Sequence, residues 1–135
     1  MMHLAKTLVP AMLALAIAAT PAMAADPTGV WQSTSGESRY KVSLCGDGTQ
    51  LCAKLTWLRE DAQTDENLAY LNRYVVKGAT AIDDDEWEGA VIYEGESYAG
   101  SVRLVGDNDM KLRGCKGMLC QSMSFNRISG KVALN

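Results

Sequence analysis

The chain has one histidine, His3, and none after it. Downstream of that residue there is no Ser-His or Cys-His nucleophile pair, no histidine metal ligand and no side chain whose ordinary pKa lies near neutrality. Most hydrolase and metalloenzyme schemes are excluded with it. C-x-x-C spacing is also missing: Cys45 and Cys52 form C-x6-C, and Cys115 and Cys120 form C-x4-C. Neither suits zinc or thioredoxin-like redox chemistry, so no metal and no cofactor is expected. There is no basic cluster. Removing Lys6 leaves twelve basic against sixteen acidic side chains, a net charge near −4, which argues against nucleic acid or an anionic membrane surface as partner. The main apolar run, Leu8 to Ala19, is too short to span a bilayer.

What the first residues do contain is a leader pattern. Lys6 supplies the positive start, Leu8 to Ala19 the apolar stretch, and Ala22-Met23-Ala24 an A-x-A cleavage site before Ala25. Residues 1–24 are therefore expected to be a signal peptide and 25–135 a single domain of roughly 110 residues, exported to the periplasm or beyond. No cysteine follows the cleavage site for lipid attachment, and no stable membrane anchor is expected in the mature chain.

The stretch from Tyr40 to Trp57 organises the domain. Tyr40, Val42 and Leu44 alternate with Arg39, Lys41 and Ser43, and Ala53, Leu55 and Trp57 form the apolar set of a second arm. Gly46-Asp47-Gly48 supplies a turn. Placing Cys45 opposite Cys52 predicts Leu44 against Ala53, Val42 against Leu55 and Tyr40 against Trp57. Four cysteines permit three connectivities. Cys45–Cys52 with Cys115–Cys120 is favoured because each pair then closes its own hairpin in an oxidising compartment.

The remaining chain reads as further strands. Gly29-Val30-Trp31 opens the first. Residues 59–73 form a long polar loop with one helical turn capped by Thr64 or Asp65, either a lid over a pocket or a plug for one end of the core. Tyr74 to Ile82 is a strand before Asp83-Asp84-Asp85, which reads as a solvated turn tip more readily than a calcium site. Trp87 to Tyr93 and Tyr98 to Leu104 form a hairpin whose shared face carries Gly89 and Gly100, either to let the strands bend or to leave room for a ligand. Asp109 to Cys115 and Cys120 to Ile128 form another, predicting Leu112 against Met123 and Met110 against Phe125. Eight short strands joined mostly by tight turns imply an all-β, eight-stranded antiparallel up-and-down barrel with two hairpin disulfides and one long loop or short helix.

Gly29-Val30-Trp31 together with Arg127 resembles the signature of lipocalin and calycin barrels, where the Trp closes one end and the late Arg packs across it. Leu51-Cys52, Trp87-Glu88-Gly89, Ile92-Tyr93, Tyr98, Arg113-Gly114-Cys115 and Leu119-Cys120 are similar to the pattern of an exported bacterial family, domain of unknown function 2147, whose members look like small lipocalin-like barrels. Tyr74-Val75 stands where that family tends to have Arg-Pro, the turn after Tyr93 is shorter, and Phe125 replaces a Trp. The resemblance covers essentially the whole mature chain and implies a Gly29, Trp31 and Arg127 closure. It implies no activity.

Two functions follow as expectations. The first is binding of a small apolar or amphipathic molecule inside the barrel, with Tyr40, Leu55, Trp57, Val91, Tyr93, Tyr98, Val102, Leu112, Met123 and Phe125 facing inward and the phenols orienting a polar head. The second is a filled barrel whose loops bind another envelope protein, in the manner of lysozyme inhibitors, with an acidic surface suited to a basic enzyme. Catalysis is not expected: Glu86, Glu88, Glu94 and Glu96 sit in or beside turns, where solvation keeps them ordinary acids.

Overall fold

A computed structural model describes residues 26–130, with Pro10 alone before them. The proposed leader and its cleavage site lie outside the described residues. Among these, no helix is long and apolar enough to cross a membrane.

The period-two segments form eight strands: β1 (Gly29–Ser33), β2 (Ser38–Cys45), β3 (Gln50–Leu58), β4 (Tyr74–Asp83), β5 (Glu86–Tyr93), β6 (Glu96–Val105), β7 (Asp109–Lys116) and β8 (Leu119–Gly130). Each pairs antiparallel with the next, and β1 pairs with β8, so the sheet closes into a barrel without free edges. The turns at residues 46–49, 84–85 and 106–108 sit at one end, with the start of β1. The opposite end carries residues 34–37, the long connection 59–73, and the tight turns 94–95 and 117–118.

Both disulfides join the cysteines expected, Cys45–Cys52 and Cys115–Cys120. The β7–β8 register is the predicted one: Cys115 faces Cys120, Leu112 faces Met123 and Met110 faces Phe125. The β2–β3 register differs by two residues. Cys45 pairs with Gln50, Ser43 with Cys52, Val42 with Ala53 and Tyr40 with Leu55. The crosslink therefore runs diagonally between pairs two positions apart on the same face, a geometry that a Cα separation of 6.0 Å still permits. A two-residue slip preserves which side chains point inward. A bulge at Arg39/Tyr40 does not, because it pairs Arg39 with Trp57 and turns that indole outward. Trp57 is 37% exposed and lies under the Arg39 guanidinium, 4.4 Å from the ring centroid, while Leu58 takes the inward position. The expectation that Trp57 lines the interior is thus corrected.

The inner face is buried along every strand, with Trp31, Val42, Leu51, Val76, Trp87, Val102 and Phe125 among its members. Gly89 and Gly100 face each other across β5 and β6. A Cβ on Gly100 would stand 2.4 Å from Val91 Cγ2, and one on Gly89 would stand 3.0 Å from the Ala79 backbone. These glycines permit close packing of neighbouring protein atoms, and the space their side chains would take is already filled by Ala79 and Val91.

Candidate functional site

One end of the barrel is sealed by residues the sequence brings together from its two extremes. Trp31 is fully buried, and its indole N–H donates to the Pro27 carbonyl at 2.8 Å. Arg127 lies over that ring, 4.4 Å from its centroid. Its Nε donates to Asp107 O at 2.9 Å, one terminal nitrogen to Asp26 O at 2.8 Å and the other to Thr28 O. Burial pushes the Arg127 pKa down, yet nearby Asp26 and Asp107 favour its charge. Trp87 adds a second anchor at this end by donating to Thr49 O at 2.9 Å. This end is a floor.

The other end is partly covered. Residues 59–73 contain a turn of 3-10 helix (Glu60–Ala62) and a short helix α1 (Asp65–Leu68), which Thr64 caps by accepting from the Asn67 N–H at 3.2 Å. The connection is pinned to β3: the Asn72 N–H donates to Leu55 O at 2.7 Å and the Leu55 N–H to Arg73 O at 3.0 Å. Ala62 is buried, and Tyr70 and Leu71 pack on the core. The loop thus plugs part of the opening and roofs the rest.

Between floor and roof lies an apolar cavity of about 50 Å³ with no charged side chain in its wall. Seven of the predicted residues line it: Tyr40, Val91, Tyr93, Val102, Leu112, Met123 and Phe125. Tyr40 and Phe125 meet edge to face at 5.5 Å. Leu55 lines a second space of about 40 Å³ beneath the long loop, sharing Tyr40, Tyr93 and Met123 with the first. Tyr98 borders a third, of about 20 Å³, toward the β7–β8 rim, where its hydroxyl donates to Glu96 at 3.2 Å in solvent. Trp57 lines none of them.

Other lining residues were not among the ligand contacts expected from the sequence: Val42, Leu51, Ala53, Val75, Val76, Ile92 and Met110. Alternation along β2, β3 and β7 already placed Val42, Ala53 and Met110 inside. Val75 and Val76 escaped because irregular pairing of β4 with both neighbours lets adjacent residues be buried, which a strict period of two cannot signal.

Two phenols occupy the junction between the central cavity and the space beneath the loop. Burial is the main cause that raises the Tyr40 pKa, opposed by a hydrogen bond with Ser38 and reinforced by the charge of Glu37. Tyr93 is raised too, first by burial and then by Glu94, Tyr40 and Glu37. Both therefore stay neutral hydrogen-bonding groups at physiological pH.

No curated protein matches the chain. Among solved structures, the chain is similar to protein HP1028 from Helicobacter pylori, described as belonging to the lipocalin family, with a TM-score of 0.58 and 13% identity over 78% of this chain and 84% of that one. At that identity the likeness concerns the fold. A family model described as an uncharacterized protein conserved in bacteria matches residues 29–127, from the glycine that opens β1 to the arginine that closes over Trp31, and the chain belongs to that family, DUF2147.

Proposed function

We propose that the protein is an exported, periplasmic carrier that holds a small amphipathic molecule inside its barrel, admitted at the long-loop end past Tyr93 and Met123. The observation that supports this most is the cavity itself: an apolar, uncharged chamber with phenols at its junction to the outer space. Ligand sites pair an apolar lining with a few polar groups that fix orientation, and this chamber has that composition. Export is supported by two disulfides, which persist in oxidising compartments, and by the leader pattern of the first 24 residues. A non-catalytic role is supported by the chain's lack of histidine after His3.

The volume argues for a small guest. At roughly 10 to 15 Å³ per water-sized group, the central cavity accepts only a few non-hydrogen atoms and the space beneath the loop a few more. Titration with n-alcohols from butanol to octanol, followed by tryptophan fluorescence in a Trp57→Phe background, where Trp31 in the cavity wall reports on the guest, tests the reading. Saturable binding that Val91→Phe abolishes is expected. No saturation by any member would remove it.

A second reading is favoured by Met118 and Leu119, which are 100% and 80% exposed at the tip of the disulfide-braced β7–β8 hairpin. Bare apolar side chains on a rigid tip suit insertion into a partner protein of the envelope. Full lysozyme activity in the presence of micromolar protein would eliminate the lysozyme-inhibitor version.

A further inference from the structure

The central cavity and the space under the long loop share Tyr40, Val75, Ile92, Tyr93 and Met123, but their outer walls differ in chemistry. The central wall is apolar apart from its two phenols, with the thioethers of Met110 and Met123 and the indole of Trp31 among its members. The outer wall adds Glu37, Glu94, Ser38 and Asn67, and no lysine or arginine lines it. The cation beside Glu37 is Arg59. Its Nε and a terminal nitrogen donate to Asp61 at 2.6 and 2.9 Å, and Glu37 stands 3.7 Å away. Those three groups together keep one uncompensated negative charge, and Glu94 adds another. The covering loop itself carries Glu60, Asp61, Asp65 and Glu66 against Arg59 and Arg73. The opening is therefore a negatively charged, oxygen-lined collar around an apolar hole.

We propose that the guest is a small primary amine with a short apolar tail, its ammonium held between Glu37 and Glu94 and its tail lying among Val91, Leu112 and Met123. This rests on the carrier reading above. The cavity makes the site, and the carboxylates decide which head group is admitted. An ammonium offers three donors to a collar rich in oxygen acceptors. A carboxylate head would meet two like charges while the cation beside them, Arg59, is already engaged by Asp61 and Glu37, and an alcohol would gain only a neutral hydrogen bond. Volume sets the tail: the two adjoining spaces hold roughly six to eight non-hydrogen atoms in all.

Hexylamine, hexanol and hexanoate share one tail and differ in charge, so titrating each at neutral pH and low salt, with tryptophan fluorescence in the same Trp57→Phe background as readout, isolates the head group. Hexylamine is expected to bind at least about tenfold tighter than hexanol, and hexanoate at least about tenfold weaker. Added salt should erode the amine's advantage, because the collar is open to solvent. Glu37→Gln combined with Glu94→Gln should bring hexylamine down to the affinity of hexanol, whereas Glu88→Gln, exposed on β5 and away from both spaces, should leave the order intact. Hexanoate binding as tightly as hexylamine, or an unchanged preference in the double variant, would overturn the assignment while leaving the carrier reading in place. Failure of all three to bind would remove the carrier reading and this inference together.

Discussion

Arg127 binds three backbone carbonyls and an indole face at once, connecting the start of the barrel, the β6–β7 turn and the last strand. Replacing it with methionine keeps the stem over Trp31 but leaves those carbonyls without their donors. The expected cost is about 2 to 3 kcal/mol, read as a lower urea midpoint at unchanged slope. Lysine should recover only part of it, since a compact ammonium cannot fork to three separated oxygens. Gly100 gives a second residue-level prediction. An added methyl there meets Val91 Cγ2 at 2.4 Å, so Gly100→Ala should destabilise by about 1 to 3 kcal/mol through overpacking. Gly114→Ala places its methyl 3.4 Å from Tyr98 Cβ, an ordinary contact, and should cost clearly less. Equal losses in the two variants would show that packing against Val91 is not the reason for glycine at position 100.

At the scale of the element, each disulfide closes one hairpin. Loops this short limit the unfolded chain only modestly, so Cys45→Ala with Cys52→Ala, and Cys115→Ala with Cys120→Ala, should each lower stability by roughly 2 to 2.5 kcal/mol in the chain-entropy model. Chemical denaturation of the two double variants measures this. The same hairpins show what was legible in the sequence. In β7–β8, turn length, cysteine spacing and alternation all specify one register, and that register forms. In β2–β3 the strands and the crosslinked pair were readable. However, a disulfide tolerates a diagonal as well as a direct opposition, so it could not fix the register. The reversal of Trp57 depends on a bulge, whose local trace is only the adjacent pair Trp57-Leu58, two apolar residues that cannot share one face of a regular strand. The outer carboxylates of the site were invisible for a further reason. Glu37 and Glu94 are distant in sequence and border one space only because two turns lie at the same end of a closed sheet.

The whole molecule should show a broad plateau of stability in pH. Hydrogen bonds from the Thr49 hydroxyl and backbone hold the Asp47 carboxyl below its usual range. Arg59 does the same for Asp61, and Lys116 followed by Tyr98 for Glu96. A lowered folded pKa stabilises above the ordinary carboxylate value of about 4, and that contribution is lost as pH falls through it. Tyr40 and Tyr93 are raised, chiefly by burial, so the folded state binds the phenolic protons more tightly than the unfolded chain. Their contribution is complete below the ordinary phenol value of about 10 and is lost as pH rises past it. With no imidazole after His3, melting temperature should be flat between about pH 6 and 8. A distinct step there would contradict this account.

Closure of the barrel has a consequence for how the polypeptide can be rewired. Gly29 lies opposite Gly130, and Asp26 and Arg127 touch across 101 positions of sequence, so the contact that completes the sheet carries the largest loop-closure cost in the chain. A circular permutant that links those neighbouring ends and opens between Gly117 and Met118 would make this seam local. Its new termini would remain covalently tethered through Cys115 and Cys120, and the order of strand assembly could change without altering the final topology.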